Sequence, residues 1–160
     1  MKVQIKSWAH ASVLFEADIP ADTREHFRVK RAVEAAVKVG ANLDGARLDG
    51  ARLDGARLGG ASLGGANLYG ARLDGARLDD GSKLKGERPI LQIGPIGSRC
   101  AYFVTYITDK GLRFRTGCFF GDRAEFEASL EEMHNGNAHV EEYRAALAMV
   151  EAHAKIWTPK

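Results

Sequence analysis

The hydrophobic and polar positions of residues 41–80 return every five residues. The segment is a run of eight consecutive pentapeptides, most of them close to ARLDG. A helix would rotate each successive Leu by about 140°, and a strand would flip it to the opposite face. A chain that bends once per pentapeptide instead lets every Leu and Ala point to one axis. The pattern therefore predicts a coiled segment with an apolar interior.

Glycine at the end of most pentapeptides fits such a bend. Glycine tolerates the φ values of a tight corner, at about 0.5–1 kcal/mol of lost entropy each. Burial of a Leu side chain offsets this cost with about 1.5–3 kcal/mol. The predicted core of the segment consists of its leucines: Leu43, Leu48, Leu53, Leu58, Leu63, Leu68, Leu73 and Leu78.

These pentapeptides resemble the pentapeptide-repeat family, whose right-handed quadrilateral β-helix places Leu or Phe and the small Ala inside. The resemblance implies four pentapeptides per coil and two coils, residues 41–60 and 61–80. Each residue is then expected to stack on the one 20 positions later, at about 4.8 Å. The stacked pairs would include like charges, each offset by a nearby Asp: Arg52 with Arg72, and Arg57 with Arg77.

The residues before the repeats predict a hairpin and a helix. Alternating residues 3–8 and 12–17 favour two short strands joined through residues 9–11. Asp22 and Thr23 then predict the start of a helix that ends at Gly40. Its apolar face would carry Val29, Val33, Ala36 and Val37. Because solenoids need caps, residues 1–40 are expected to cover the open end of the first coil.

The residues after the repeats predict a polar linker at 81–89 and a separate module at 90–160. Three strands are expected in ILQIGPIG, CAYFVTYIT and LRFRTGCFF. Asp122 and Glu125 have the spacing of a capping box at the start of a helix, which should stop near residues 135–136. A second helix should begin at Asn137. The predicted fold class is mainly β with α: the β-helix, its hairpin-plus-helix cap, and a three-stranded antiparallel sheet with two helices.

The second of these helices carries an apolar stripe with spacings of three and four residues. Such a stripe usually packs onto its own sheet, and a helix-mediated homodimer is the alternative. The residues that would form the dimer contact are Tyr143, Leu147, Val150 and Trp157. The module also resembles an extension found after pentapeptide repeats in some phage and prophage proteins.

Composition and candidate chemistry argue for a protein that is not an enzyme. No apolar run is long enough for a membrane span, and the start lacks a signal-peptide core. Cys100 and Cys118, the only cysteines, suit a reducing cytoplasm. Cys118 is expected to be a buried structural thiol, with a disulfide to Cys100 as the alternative. The spacing of His134, His139 and His153 matches no familiar metal site, so no metal or other cofactor is predicted.

Charge is segregated beyond what the net value of +2 suggests. Residues 83–115 carry seven Lys and Arg against two acids, and residues 122–153 carry eight Asp and Glu against two arginines. The acidic helices could imitate a phosphate backbone, whereas the basic strands could hold single-stranded nucleic acid. The candidate partner-binding residues are Glu127, Glu131, Glu132, Glu141, Glu142, Arg99, Arg113 and Arg115.

The combined expectation is a phage- or prophage-encoded protein-binding protein. Its partner would be a host protein or protein–nucleic-acid complex that handles nucleic acid, as for an anti-CRISPR inhibitor. Direct nucleic-acid binding and a structural dimerisation module are the alternatives. Gyrase-protecting members of the family imitate DNA with a long acidic β-helix. Two coils span roughly 10 Å, about three base pairs, and arginines interrupt the Asp rows, so gyrase mimicry is disfavoured.

Overall fold

The structure, a computed structural model, describes residues 1–134 and 138–160, apart from the side chains of residues 133 and 134. The chain divides into two compact units, residues 1–87 and 88–160. The first unit holds β1 (Lys2–Lys6), β2 (Val13–Asp18), α1 (Glu25–Lys38) and the repeats. The second holds β3 (Ile90–Ile96), β4 (Ala101–Thr108), β5 (Gly111–Thr116), β6 (Phe119–Gly121), α2 (Arg123–His134) and α3 (Ala138–Trp157).

The predicted N-terminal hairpin is present. Strands β1 and β2 pair antiparallel from Lys2 opposite Asp18 to Lys6 opposite Val13. Ala11 lies in the turn between them, with a φ of 56°. Strand β1 begins one residue before its predicted start and ends two residues before its predicted end, and β2 lies one residue later than predicted.

The start and the buried face of α1 differ from the prediction. The helix begins at Glu25 and not at Asp22 or Thr23, because the Thr23 N–H donates to the carbonyl of Pro20 (3.1 Å) in a preceding turn. The N-cap position is held by Arg24 without a side-chain hydrogen bond. The face that packs inward carries Ala32, Val33 and Ala36, whereas Val29 is 37% exposed and Val37 is half-buried.

Residues 41–80 form a β-helix held together by hydrogen bonds between residues about 20 positions apart. Four parallel bridges join Asn42 to Ser62, Arg47 to Asn67, Arg52 to Arg72 and Arg57 to Arg77. In the third of them, the Leu53 N–H donates to Arg72 O (2.7 Å) and the Arg72 N–H donates to Ala51 O (2.9 Å). The glycines at the fifth position lie at φ values of 64–75°, which glycine adopts without strain.

The repeat leucines point inward with one exception. Seven of the eight are at most 6% exposed, and Leu68 is half-buried. Residues 82–84 pair with residues 76–78, where Leu84 is fully buried and exchanges hydrogen bonds with Gly75 and Ala76. Leu68 lies outside that pairing. Residues 81–87 thus fold back onto the β-helix, where a polar linker was predicted, because Leu84 extends the apolar interior.

The second unit has four strands where three were predicted. The sheet order is β3-β4-β5-β6, and every neighbouring pair is antiparallel. The stretch LRFRTGCFF contains a reversal, because Gly117 has a φ of 54° and the chain turns back so that Thr116 pairs with Phe119. The predicted third strand is therefore a hairpin.

Helices α2 and α3 cover one face of this sheet. The predicted capping box is formed: the Glu125 N–H donates to Asp122 Oδ1 (2.9 Å) and the Asp122 N–H donates to Glu125 Oε2 (2.8 Å). Phe103, Phe114 and Phe126 form the centre of the core. The predicted helix end at 135–136 and helix start at Asn137 lie outside the described residues.

The apolar stripe of α3 packs into this same core. Tyr143, Leu147 and Val150 are 5%, 6% and 1% exposed, respectively, and Trp157 is half-buried beneath the Arg88 guanidinium (4.7 Å to the ring centroid). Of the four residues predicted to form a homodimer contact, only Trp157 is therefore partly exposed and available to a second copy. The amphipathic pattern of the helix is explained by its own sheet.

Candidate functional site

Two large aromatic side chains are exposed on the first unit close to the repeats. Trp8 is 50% exposed and follows β1, and Tyr69 is 80% exposed within the repeats. Such side chains supply much of the energy of protein interfaces when they are left uncovered in a monomer. We refer to Trp8, Tyr69 and Arg47 together as the aromatic surface.

Hydrogen bonds to the repeats fix the position of Trp8. Its backbone N–H donates to Gly45 O and its indole Nε1–H donates to Gly65 O, both at 2.9 Å. Gly45 and Gly65 lie 20 positions apart, the separation of the parallel bridges, at equivalent corners of the β-helix. Arg47 follows this corner, and its Nη2 donates back to Trp8 O (3.3 Å). The indole is thus held in place while half of the residue stays open to solvent.

Tyr69 lies on the side that follows the same corner. It stands at the fourth position of the pentapeptide ANLYG, where five other repeats carry Asp. Its N–H donates to Asn67 Oδ1 (3.1 Å) and its carbonyl accepts from the Gly50 N–H (2.8 Å). Since Asn67 is bridged to Arg47, Trp8, Arg47 and Tyr69 all belong to this side of the β-helix.

A cleft of about 1000 Å³ lies between α1 and the repeats. The helix contacts the repeats there through two hydrogen bonds: Lys30 Nζ donates to Asp54 O (2.6 Å), and the Arg57 N–H donates to Glu34 Oε1 (3.1 Å). The basic side chains that line the cleft outnumber the acidic ones: Arg24, Lys30, Arg31, Arg57 and Arg77 against Asp18, Asp22 and Glu34. The cleft is therefore a candidate site for an anion.

The acidic residues predicted to bind a partner are mostly engaged within the second unit. Glu127 pairs with Arg123 (2.9 Å), and Glu141 pairs with Arg144 (2.6 Å). Glu127 and then Glu151 raise the pKa of the Arg123 guanidinium, which donates to both carboxylates. Within the described part of the chain, only two of the five predicted glutamates form neither an ion pair nor a hydrogen bond through the carboxylate: Glu131 and Glu132.

The remaining predicted glutamate has a structural role. Glu142 accepts a hydrogen bond from the Gly97 N–H at 2.6 Å. Its carboxylate therefore anchors the turn after β3 to α3. An array of free carboxylates that could imitate a phosphate backbone is not formed by these five glutamates.

The basic strand residues are also engaged. Arg113 and Arg115 lie on β5 opposite Tyr106 and Val104. Arg113 Nη1 donates to the carbonyls of Lys110 and Leu112, and the Arg115 guanidinium lies 4.9 Å from the centre of the Phe120 ring. Tyr106, the aromatic residue opposite Arg113, is only 4% exposed. It cannot present its ring to a nucleic acid.

Arg99 lies apart from these two arginines, at a pocket of about 370 Å³. The floor is apolar and includes Phe126 and Leu130, and Cys118 stands at its wall. Cys118 is exposed, which corrects the expectation of a buried thiol, because the β5–β6 turn carries it out of the sheet. Cys100 is also exposed, and both thiols are free.

Among the described residues, the histidines form no recognisable metal site. His153 Nε2 lies 3.0 Å from the carbonyl of Arg88. In residues 1–134 and 138–160, no group of three or more His, Cys, Asp or Glu is arranged to hold a metal ion. The side chain of His134 lies outside the described residues.

The comparison with known protein families agrees with the coil geometry. The sequence model of the family described as pentapeptide repeats matches residues 40–80, in eight copies. This is a pentapeptide-repeat protein. The match covers the β-helix of this pentapeptide-repeat protein and neither flank.

No curated protein and no solved structure matches the chain. In the part of this pentapeptide-repeat protein that the structure describes, no helix combines the length and the apolar character needed to cross a bilayer. The candidate sites therefore rest on the geometry of the chain itself.

The aromatic surface was missed by the sequence analysis, although the sequence contains a pointer to it. Tyr69 is the only aromatic residue in the eight repeats, at a position where five of the other pentapeptides carry Asp. Trp8 offers no comparable sign, because the sequence does not show that residue 8 meets Gly65, 57 positions away. Only folding brings the two aromatic residues to one side of the β-helix.

Proposed function

We propose that this pentapeptide-repeat protein is a non-enzymatic binding protein that holds a protein partner on its aromatic surface. The observation that carries the proposal is the exposure of Trp8 and Tyr69 on one side of the β-helix, beside Arg47. Trp, Tyr and Arg are the residues enriched in the energetic centres of protein interfaces. The hydrogen bond from Trp8 to Gly65 lowers the entropy cost of binding, because the indole is already held in one orientation.

The scaffold of this surface is proposed to be a two-coil, right-handed quadrilateral β-helix. Parallel bridges between residues 20 positions apart support four pentapeptides per coil. Residues 1–40 and 81–87 are proposed to cap its two ends. The hydrogen bonds from Trp8 and Arg57 support the first cap, and the buried Leu84 supports the second. A capped scaffold would present the aromatic residues on a rigid support.

The partner is proposed to be a component of a host complex that handles nucleic acid. The resemblance of residues 90–160 to extensions of phage and prophage pentapeptide-repeat proteins supports this, with inhibition of an anti-CRISPR type as its most concrete form. Charge mimicry by the acidic helices loses support, since Glu127, Glu141 and Glu142 are engaged. The aromatic surface takes its place as the proposed contact.

The test is affinity capture from bacterial lysate, with and without nuclease, using variants that leave the repeat intact. Tyr69→Asp restores the residue that five other pentapeptides carry at this position, so the fold should tolerate it. Ile156→Ser is the matched control, since Ile156 is a 70% exposed apolar residue in the other unit. We expect a nuclease-resistant protein partner that the wild type and the control retain, with about 30-fold weaker binding to Tyr69→Asp.

Equal retention of the partner by Tyr69→Asp would overturn the aromatic surface as the contact. Capture that disappears with nuclease would overturn the protein partner itself and would favour direct nucleic-acid binding. A circular dichroism melt of each variant separates loss of the contact from loss of the fold.

A further inference from the structure

Arg57 and Arg77 stand side by side in the cleft beside α1. The parallel bridge between them places their Cα atoms one strand spacing apart, about 4.8 Å. Both side chains are exposed, and within the described part of the chain neither guanidinium forms a salt bridge or a hydrogen bond. Like charges on neighbouring strands destabilise a sheet, so this arrangement costs the fold stability.

The other stacked arginine pair of the β-helix is compensated. Arg72 Nε lies 3.4 Å from Asp54 Oδ1, and the Arg52 guanidinium lies 5.8 Å from the centre of the Phe27 ring. Arg77 lacks the corresponding partner, because position 59, which is equivalent to Asp54, is a glycine. The uncompensated pair is therefore the one that faces the cleft.

The acids of the cleft are largely occupied elsewhere. Glu34 accepts from the Arg57 backbone N–H (3.1 Å) and lies 4.0 Å from Arg31 Nη1. Asp18 binds the terminal amine of Met1 (3.2 Å). Of the three carboxylates that line the cleft, only Asp22 has no such contact in the described residues. The two guanidinium groups therefore form no ion pair with the described residues of the cleft and are free to bind an anion.

The cleft also offers a ring surface. Phe27 lines it and is 38% exposed. A volume of about 1000 Å³ lies at the upper end of the usual range for small-molecule sites. An aromatic face beside a pair of arginines suits a ligand that has both a flat ring and phosphate groups, since bases stack on aromatic side chains and guanidinium groups bind phosphate in a bidentate manner.

We propose that this cleft binds a nucleotide, with its phosphates on Arg57 and Arg77 and its base against Phe27. The nucleotide is either free or one unit of a single strand, and both present the same chemistry. The site is distinct from the aromatic surface and does not depend on it. A complex that handles nucleic acid, the partner class proposed above, would bring such a ligand close to the protein.

The experiment measures binding of three probes to the full chain at about 50 mM salt, where phosphate contacts are strong. The probes are ATP, inorganic pyrophosphate, and a fluorescein-labelled single-stranded DNA of about ten nucleotides. The test variant is the double substitution Arg57→Ala with Arg77→Ala. The control is the double substitution Lys38→Ala with Lys85→Ala, which removes two exposed cations of the same unit that do not line the cleft.

We expect ATP or the oligonucleotide to bind, with affinity for the double variant at least about tenfold weaker and affinity for the control unchanged. Binding of ATP identifies a free nucleotide as sufficient, whereas binding of the oligonucleotide alone identifies the strand. Phe27→Ala should weaken the binding of ATP and of the oligonucleotide but not that of pyrophosphate. The double variant should melt at the same or a higher temperature, because it removes a repulsion, so a folding defect cannot imitate the result.

Three outcomes would overturn the proposal. One is the absence of binding by both ATP and the oligonucleotide. Another is equal affinity of the wild type and the double variant for the probe that binds. The last is an equal loss in the Lys38→Ala, Lys85→Ala control, which would show a general attraction to basic residues and no defined site.

Discussion

The Glu142 carboxylate on α3 accepts a hydrogen bond from the backbone N–H of Gly97, 2.6 Å away and 45 residues earlier in the chain. The same glycine is buried against the ring of Tyr143, and it lies at a φ of 74°. These contacts fasten the turn after β3 to the helix. Glu142 consequently belongs to the support of the second unit more than to its acidic surface.

Replacement of Glu142 should destabilise the protein. We expect Glu142→Ala to lower the free energy of unfolding by about 1–2 kcal/mol, because the Gly97 N–H loses a charged acceptor. Glu131→Ala is the matched control, with the same change of helix propensity at an exposed glutamate, and should change stability by less than about 0.5 kcal/mol. Urea denaturation of both variants gives the comparison. Equal values for both variants would contradict the anchoring role.

The adjacent glycines of the fourth pentapeptide should respond to alanine with opposite signs. Gly60 has a φ of 75°, so Gly60→Ala should cost about 1–2 kcal/mol even though nothing lies within 4 Å of an added Cβ. Gly59 has no positive φ, and an added Cβ would meet Asp79 Cα at 3.5 Å, an ordinary contact. Gly59→Ala should therefore stabilise by about 0.4–1 kcal/mol. Thermal melts that rank Gly60→Ala at or above Gly59→Ala would contradict the corner geometry.

Two leucines at the same repeat position should differ in their contribution to stability. Leu53 is fully buried in the interior of the β-helix, and Leu53→Ala should cost about 2–5 kcal/mol. Leu68 is half-buried and lies outside the pairing with residues 82–84, so Leu68→Ala should cost clearly less. Denaturant midpoints at equal m-values measure the difference. Similar losses would indicate that Leu68 is as well covered as the others.

The exposed ion pair between Lys2 and Glu16 in the hairpin should be detectable as a lowered pKa of the Glu16 carboxyl in a pH titration. Lys2 Nζ lies 2.7 Å from Glu16 Oε1, and hydrogen bonds from Lys2 and then Gln4 lower the pKa of the Glu16 carboxyl. A carboxyl with a lowered pKa adds stability that is present above its unfolded pKa and is lost as the pH falls through its folded pKa. The β1–β2 hairpin should therefore loosen in acid.

The measurement is the NMR titration of the Glu16 side-chain carbon. We expect Lys2→Ala to raise the Glu16 pKa toward its ordinary value and Lys38→Ala to leave it unchanged. A midpoint that does not move in Lys2→Ala would show that the pair does not persist in solution.

The two free thiols should react in the folded protein. Because Cys100 and Cys118 are both exposed, a water-soluble disulfide reagent should titrate two thiols per chain without denaturant. The same count in guanidinium chloride is the reference. Fewer reactive thiols in the native protein than in guanidinium chloride would contradict the exposure of both cysteines. It would support the buried Cys118 thiol that the sequence predicted.

Regular local patterns were predictable from the sequence. The five-residue period required a corner at each glycine and an inward Leu, and the capping box of Asp122 and Glu125 needs only residues three positions apart. Where one glycine decides the path, the sequence was ambiguous: LRFRTGCFF has the composition of a single strand, yet Gly117 turns it into two. Because glycine tolerates φ values of either sign, the sequence does not show which sign Gly117 adopts.

The sequence by itself therefore determined the β-helix, the kind of each flanking element and the amphipathic face of α3. Tertiary structure alone decided which polar groups are free. Glu142 is occupied by Gly97, Arg72 is neutralised by Asp54, and Arg57 and Arg77 are left with no such partner. The physical reason is the separation along the chain of the residues that each kind of interaction involves. Core patterns repeat over a few residues because burial follows local periodicity, whereas charge pairing and exposure depend on groups that only folding brings together.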